Sequence, residues 1–187
     1  APGACERRES LCPAVGVCGG CLYQTLPYAE ELKLKEQLLR RLLAEAIGED
    51  FLWEGLTPSP CENAYRMKME YSFGDAYRDG PLTLGMHKRG SHYDIVETDR
   101  CELVHADLNL ALRETLRFFR ERKAPFYHKM RHEGYLRFLL ARRGTHRKEL
   151  LLDLVTSSQL PEEEERELLN AWRELMCALP FEASLEG

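Results

Sequence analysis

The sequence predicts an α+β domain: an antiparallel sheet covered by helices, with a cysteine-rich loop at its N-terminal end. Three observations carry that prediction. Helical and strand periodicities follow one another in the order helix, hairpin, strand, helix, hairpin, helix, which places helices on an antiparallel sheet. Turn signals rich in glycine and charge separate the strand-like runs. The run Cys12-Pro-Ala-Val-Gly-Val-Cys18-Gly-Gly-Cys21 puts three thiols within ten residues.

The cysteine run comes first along the chain. Glycine lets the backbone fold back without a Cβ penalty, so three soft ligands this close can wrap one metal centre. A fourth thiol must come from elsewhere, and Cys5, Cys61, Cys101 and Cys177 are the candidates. Seven cysteines in all is an odd number, which argues against a fully paired disulfide framework. No apolar signal segment precedes the run, so a reducing, cytoplasmic compartment is expected. Spacing leaves the metal open between zinc and an iron-sulfur cluster: only Cys18 to Cys21 has the CxxC form of a zinc knuckle, and the four-cysteine ferredoxin run is absent.

Tyr28 to Ile47 is predicted as an ordinary core-facing helix. Leu32, Leu39, Leu42, Leu43, Ala46 and Ile47 recur at steps of three and four, Pro27 suits the first turn, and Gly48 the end. Thr57 to Pro60 holds two prolines two apart and is extended. Tyr65 to Phe73 alternates as a half-buried strand, with Tyr65, Met67, Met69, Tyr71 and Phe73 on one face and Arg66 and Lys68 on the other. The Asp79-Gly80 turn returns the chain through Leu82 to His87. Lys88 to Ser91 turns again, and a short strand at Tyr93 to Val96 delivers the chain to Cys101.

Asn109 to Arg122 is predicted helical, with Leu112, Leu116 and Phe119 on one stripe and Arg113, Arg117 and Arg120 on another. Strands at Tyr135 to Ala141 and Glu149 to Val155 flank the basic turn 142–148. A last helix runs from Pro161 to Leu179, with Glu162 to Glu165 favourably placed at the positive end of its dipole. No G-x-G-x-x-G after a strand, no P-loop and no G-x-S-x-G occurs, so no nucleotide or cofactor pocket is expected within the chain.

At 187 residues and 44% apolar composition the chain can build one real core, or a core with a small appendage. No apolar stretch approaches a membrane span, so a soluble protein without a membrane partner is expected. The net charge of -5 hides an uneven distribution. Twelve Lys and Arg face three Glu between Arg113 and Lys148, whereas eight Glu face two Arg from Pro161 to Gly187. The basic stretch is the electrostatic footprint expected of a phosphate-backbone partner.

The ordered motifs resemble the RNA uracil-5-methyltransferase family, which methylates C5 of uridine in ribosomal or transfer RNA with S-adenosylmethionine. The matching pieces are Cys12-x5-Cys18-Gly19-Gly20-Cys21-x2-Gln24, the helix from Tyr28 with Lys35, and Ser59-Pro60-x4-Tyr65-Arg66-x-Lys68. Leu84 to Ser91, Cys101-Glu102-Leu103, Leu136-Arg137-Phe138 and the strand from Glu149 to Thr156 complete the set. The family's Tyr-Arg-Asn-Lys has Met67 at its third position here.

The resemblance implies a 4Fe-4S cluster held by Cys12, Cys18, Cys21 and Cys101, with Cys5, Cys61 and Cys177 spare. It divides the chain into a cluster-binding loop, 1–27, and a central RNA-recognition domain, 28–187. It also implies that the S-adenosylmethionine-dependent catalytic domain is absent, with its cysteine nucleophile and general base, so the chain alone is expected to be inactive and to carry no catalytic residue. The expected partner is RNA, 23S rRNA before tRNA, bound by a monomer. Tyr65 is expected to stack on unpaired bases, and Arg66, Lys68, Lys88, Arg89, Arg142, Arg143, Arg147 and Lys148 to meet phosphates. The alternative is a standalone zinc-stabilised RNA-binding adaptor without enzymatic activity, and a third reading is a purely structural interaction domain.

Overall fold

The computed structural model describes residues 9, 10 and 12–187, so Cys5 lies outside the described residues. Along them run α1 (Tyr28–Ile47), β1 (Lys68–Asp75), β2 (Leu82–His87), β3 (Ile95–Glu97), α2 (Ala106–Glu121), β4 (Leu136–Arg143), β5 (Glu149–Thr156), α3 (Glu162–Ala178) and β6 (Ser184–Leu185). The strands form a single sheet in the order β3-β2-β1-β4-β5-β6. Every pairing is antiparallel except β5 with β6. The mixed α+β architecture expected from the sequence is the one found.

Period-two alternation divides the sheet into two faces. Met69, Tyr71 and Phe73 of β1 and Leu139 and Ala141 of β4 are buried in one core cluster with Leu108, Leu112, Leu116 and Phe119 of α2. Fully burying one of the leucine, methionine or phenylalanine side chains among them is worth about 1.5–3 kcal/mol. Phe73 and Phe119 meet edge to face at 5.8 Å, and α3 closes over α2 through Trp172, whose Nε1–H donates to the buried Thr115 Oγ1 at 3.1 Å. The other face carries Lys68, Glu70, Ser72 and Gly74 from β1 and Phe138, Leu140 and Arg142 from β4, all but Gly74 exposed or half-buried. A register shift between Leu136 and Phe138 breaks the alternation of β4. It leaves Arg137 exposed beside a half-buried Phe138, the re-aiming of side chains that a β-bulge produces.

Several expectations are corrected. α1 has the expected limits, but none of its residues is buried, and Leu34, Leu38, Leu39, Leu42 and Ile47 are exposed. Its partners are local: Tyr28 Oη accepts from Ser59 N–H at 2.7 Å, and Arg40 lies over the Trp53 ring at 4.8 Å. The strand expected from Tyr65 starts at Lys68, and Tyr65 and Met67 are exposed. The preceding residues pair elsewhere, with Ala64 N–H donating to Glu102 O and Arg66 N–H to Leu103 O, both at 2.9 Å. α2 begins at Ala106, three residues before the expected start, because His105 Nδ1 accepts from Asp107 N–H at 3.2 Å and caps it. Strand β6 was not foreseen. No helix among the described residues is long and apolar enough to cross a membrane.

Candidate metal centre and nucleic-acid interface

The loop carrying Cys12, Cys18 and Cys21 winds tightly, Cys18 N–H donating to Ala14 O at 2.8 Å. It docks on the end of β2: Gly19 N–H donates to His87 O at 3.0 Å and Arg89 N–H to Val17 O at 2.8 Å. Arg89 Nη2 also donates to Cys21 O at 2.5 Å. Cys101 is fixed from the other side, where Asn109 in α2 exchanges two hydrogen bonds with its backbone, at 3.2 and 3.0 Å. A Gln24 to Glu102 side-chain hydrogen bond ties the two loops together. Residues 78 positions apart thereby meet.

The four thiols sense one another. Burial pushes the Cys21 thiol up to about 11, and the nearby Cys101, Cys18 and Cys12 thiols add to the shift while Arg66 opposes it. Burial also raises Cys101, opposed by the nearby backbone N–H groups of Leu103 and Val104 and reinforced by the Cys12 and Cys18 thiols. Cys12 is raised by burial too, against N–H groups of Ala14 and Glu102, and Gly20 N–H donates to Cys18 Sγ at 3.3 Å. Backbone donors aimed at sulfur are what stabilises thiolates that hold a metal. Beside Cys101 lies the buried Tyr71 hydroxyl, which has no hydrogen-bond partner among the described residues. Thiols are the soft donors that an iron-sulfur group takes. Among the described residues, no three or more His, Cys, Asp or Glu side chains are grouped so that they could hold a metal ion. Cys61 and Cys177 are exposed and free.

The sheet brings the expected RNA contacts to the same end. Lys68 pairs with Arg142 across β1 and β4, Lys88 and Arg89 follow the end of β2 there, and the β4–β5 turn adds Arg147 and Lys148. Several of these cations have partners: Lys68 lies 4.0 Å from Glu70, Lys88 3.7 Å from Asp94, Arg147 3.8 Å from Glu149 and Lys148 2.8 Å from Glu182. Exposed pairs of this kind are weak. Arg66 and Tyr65 are exposed and line a recess of about 440 Å³ with Cys21, Tyr23, Tyr28 and Lys35.

Arg143 departs from its expected role. Its side chain is only 9% exposed, and its Nε–H donates to Asp107 Oδ2 at 2.9 Å. Adjacent residues on a strand face opposite ways, so Arg142 faces out and Arg143 faces in. Asp107 also accepts from the N–H groups of Glu182 and Ala183, at 2.9 and 3.1 Å. Sequence reasoning missed Asp107. Its partners are 36 to 76 residues away, and no local pattern signals such contacts.

No protein-family model matches the chain. Among solved structures it is similar to the tRNA (uracil-54, C5)-methyltransferase of Pyrococcus abyssi in complex with S-adenosyl-L-homocysteine. The TM-score is 0.56 at 27% identity, over 82% of this chain and 35% of that one. The fold is therefore similar to part of that enzyme. Among curated proteins the chain is 43% identical over 159 residues to an uncharacterized RNA methyltransferase of Clostridium acetobutylicum, covering 85% of this chain and 34% of the relative. It is 45% identical over 152 residues to another from Caldanaerobacter subterraneus subsp. tengcongensis, covering 81% and 34%. The homologues are thus RNA methyltransferases by name, and the chain spans about a third of the length of the curated relatives it matches.

Proposed function

We propose that the chain is the cluster-holding and RNA-contacting portion of an S-adenosylmethionine-dependent RNA uracil-C5 methyltransferase. The observation that supports this most is the meeting, at one end of the sheet, of Cys12, Cys18, Cys21 and Cys101 with Arg66, Lys68, Arg89 and Arg142. The thiols would hold a 4Fe-4S cluster, which staples the N-terminal loop to the segment before α2. That group supplies structural closure here, and no chemical step is assigned to it. The outward-facing cations meet phosphates, and Tyr65 stacks on an unpaired base.

Methyl transfer to uracil C5 needs a cysteine to add at C6, a base to take the C5 proton and a bound methyl donor. None of these roles is assigned to a residue of this chain. 23S rRNA is the proposed substrate on the four-cysteine pattern. The similarity to a tRNA (uracil-54, C5)-methyltransferase favours tRNA as a second reading.

Anaerobic purification with metal and sulfide analysis tests the cluster. Iron with matching sulfide and brown absorbance are expected in the protein and absent from Cys101→Ala. Zinc in place of iron, or unchanged iron in that variant, overturns the assignment. Binding of labelled rRNA and tRNA fragments then separates the two substrate readings, and an absence of salt-sensitive binding to either overturns the RNA role.

A further inference from the structure

The open face of the sheet holds a cleft of about 570 Å³ that none of the residues above accounts for. This volume lies within the range of about 300–1,000 Å³ typical of ligand sites. Ser72 to Asp75 of β1 form its floor with Phe138 of β4, and the loop 126–131 and Tyr93 form its walls. The β4 bulge matters here, because it turns Arg137 onto the cleft side. There its guanidinium lies 4.9 Å from the Tyr127 ring centroid and 5.7 Å from that of Phe138. Phe126 and His128 lie with their rings 6.3 Å apart and inclined by 31°. Tyr93 and Met130 stand at the rim, 63% and 70% exposed.

The polar groups of the cleft are equally distinctive. His87 and His128 each have a buried Nδ1 without a hydrogen-bond partner among the described residues. Among the described residues nothing at Nδ1 fixes either tautomer, and each ring can donate or accept at its other nitrogen. Burial, Lys129 and His92 hold His87 below its ordinary value, which keeps it neutral near pH 7. Arg78 and Lys88 engage the rim carboxylates Asp79 and Asp94. Lys129, Arg131 and Arg137 have no ion-pair partner among the described residues, against one such carboxylate, Asp75. Phe138 and Arg142 share the open face of β4 four residues apart, so the cleft lies about 13 Å from the basic end of the sheet. His87 runs directly into Lys88 and Arg89.

We infer that this cleft is a binding site for a single unpaired nucleotide of RNA, its base stacked among the aromatic rings and the Arg137 guanidinium, its phosphate met by Lys129 and Arg131. Stacking of a splayed base on aromatic and guanidinium planes, with edge recognition by a group that can both donate and accept, is how single-stranded RNA is read. A strand held at the basic end would continue along the open face into the cleft. The inference rests on the RNA reading proposed above.

The test uses a short labelled single-stranded RNA carrying one 4-thiouridine. Tyr93→Ala combined with Arg137→Ala changes two exposed side chains, and its thermal unfolding is compared with the parent as a check on folding. The expected result is binding weakened about tenfold or more, with photocrosslinks of the parent protein mapping to Tyr93 or the 126–138 segment. If the double variant binds like the parent while Arg142→Ala with Arg147→Ala weakens binding, the cleft inference is overturned and the RNA reading stands. If the parent itself shows no salt-sensitive RNA binding, both fail together.

Discussion

Asp107 is the residue on which the acidic tail, α2 and β4 all depend. It is 5% exposed by its side chain and accepts from Arg143 and from two backbone N–H groups near the C-terminus. Burial alone would raise its carboxyl. The Glu182 N–H, the Arg143 guanidinium and the Ala183 N–H outweigh burial and hold it below the ordinary carboxylate value. The stabilisation is therefore present above the unfolded carboxyl value near 3.9 and is lost as pH falls through the lower folded value. Urea midpoints are expected to be flat in this contribution near neutrality and to drop in acid below about pH 4. Asp107→Asn leaves the buried Arg143 guanidinium with only the exposed Glu182 carboxylate, 3.6 Å away, and should cost about 3–5 kcal/mol in urea unfolding, with that acid dependence reduced. None of this was legible in the sequence, where Arg143 sits in a basic run indistinguishable from its neighbours.

At the scale of elements, type and order were legible and burial was not. β2 has the expected limits, and α1, β5 and α3 match to within a residue at each end, because each carries a clear local period and a Pro, Gly or turn boundary. The leucine stripe of α1 is as regular as that of α2, yet only α2 is buried. Periodicity reports that a face is apolar, not what covers it. The loop that walls the cleft depends on Gly134, which sits at φ +111° with its missing Cβ position 2.0 Å from Phe126 O. That oxygen belongs to backbone held by Tyr135 and Leu136, so it cannot swing aside. Gly134→Ala should destabilise the protein by about 1–3 kcal/mol in urea unfolding. It should also weaken binding of the single-stranded RNA.

For the whole molecule, the charge asymmetry of the sequence becomes a contact. The acidic tail returns to the sheet as β6, and Glu182 meets Lys148 at 2.8 Å and Arg143 at 3.6 Å. The tail therefore neutralises part of the basic end as well as masking it in the total charge. Glu182→Ala removes the carboxylate and keeps the backbone N–H that binds Asp107. On the RNA reading, it should tighten RNA binding at low salt and steepen the plot of log affinity against log salt by about one unit, as Lys148 is freed for a phosphate. An unchanged slope in titrations across salt concentrations would remove Lys148 from the interface.

The sequence alone determined the three helices and the five main strands, that those strands form an antiparallel sheet, and which residues carry soft donors and positive charge. These are properties of spacing and side-chain chemistry, and they survive without knowledge of the partners. Tertiary structure decided which of two neighbouring arginines faces the core. It also decided that Cys101 meets the loop of Cys12, Cys18 and Cys21, and that a bulge turns Arg137 into a cleft lined with aromatic rings. Each of these depends on strand register and on contacts tens of residues apart, where a shift of one residue moves a side chain to the opposite face of the sheet.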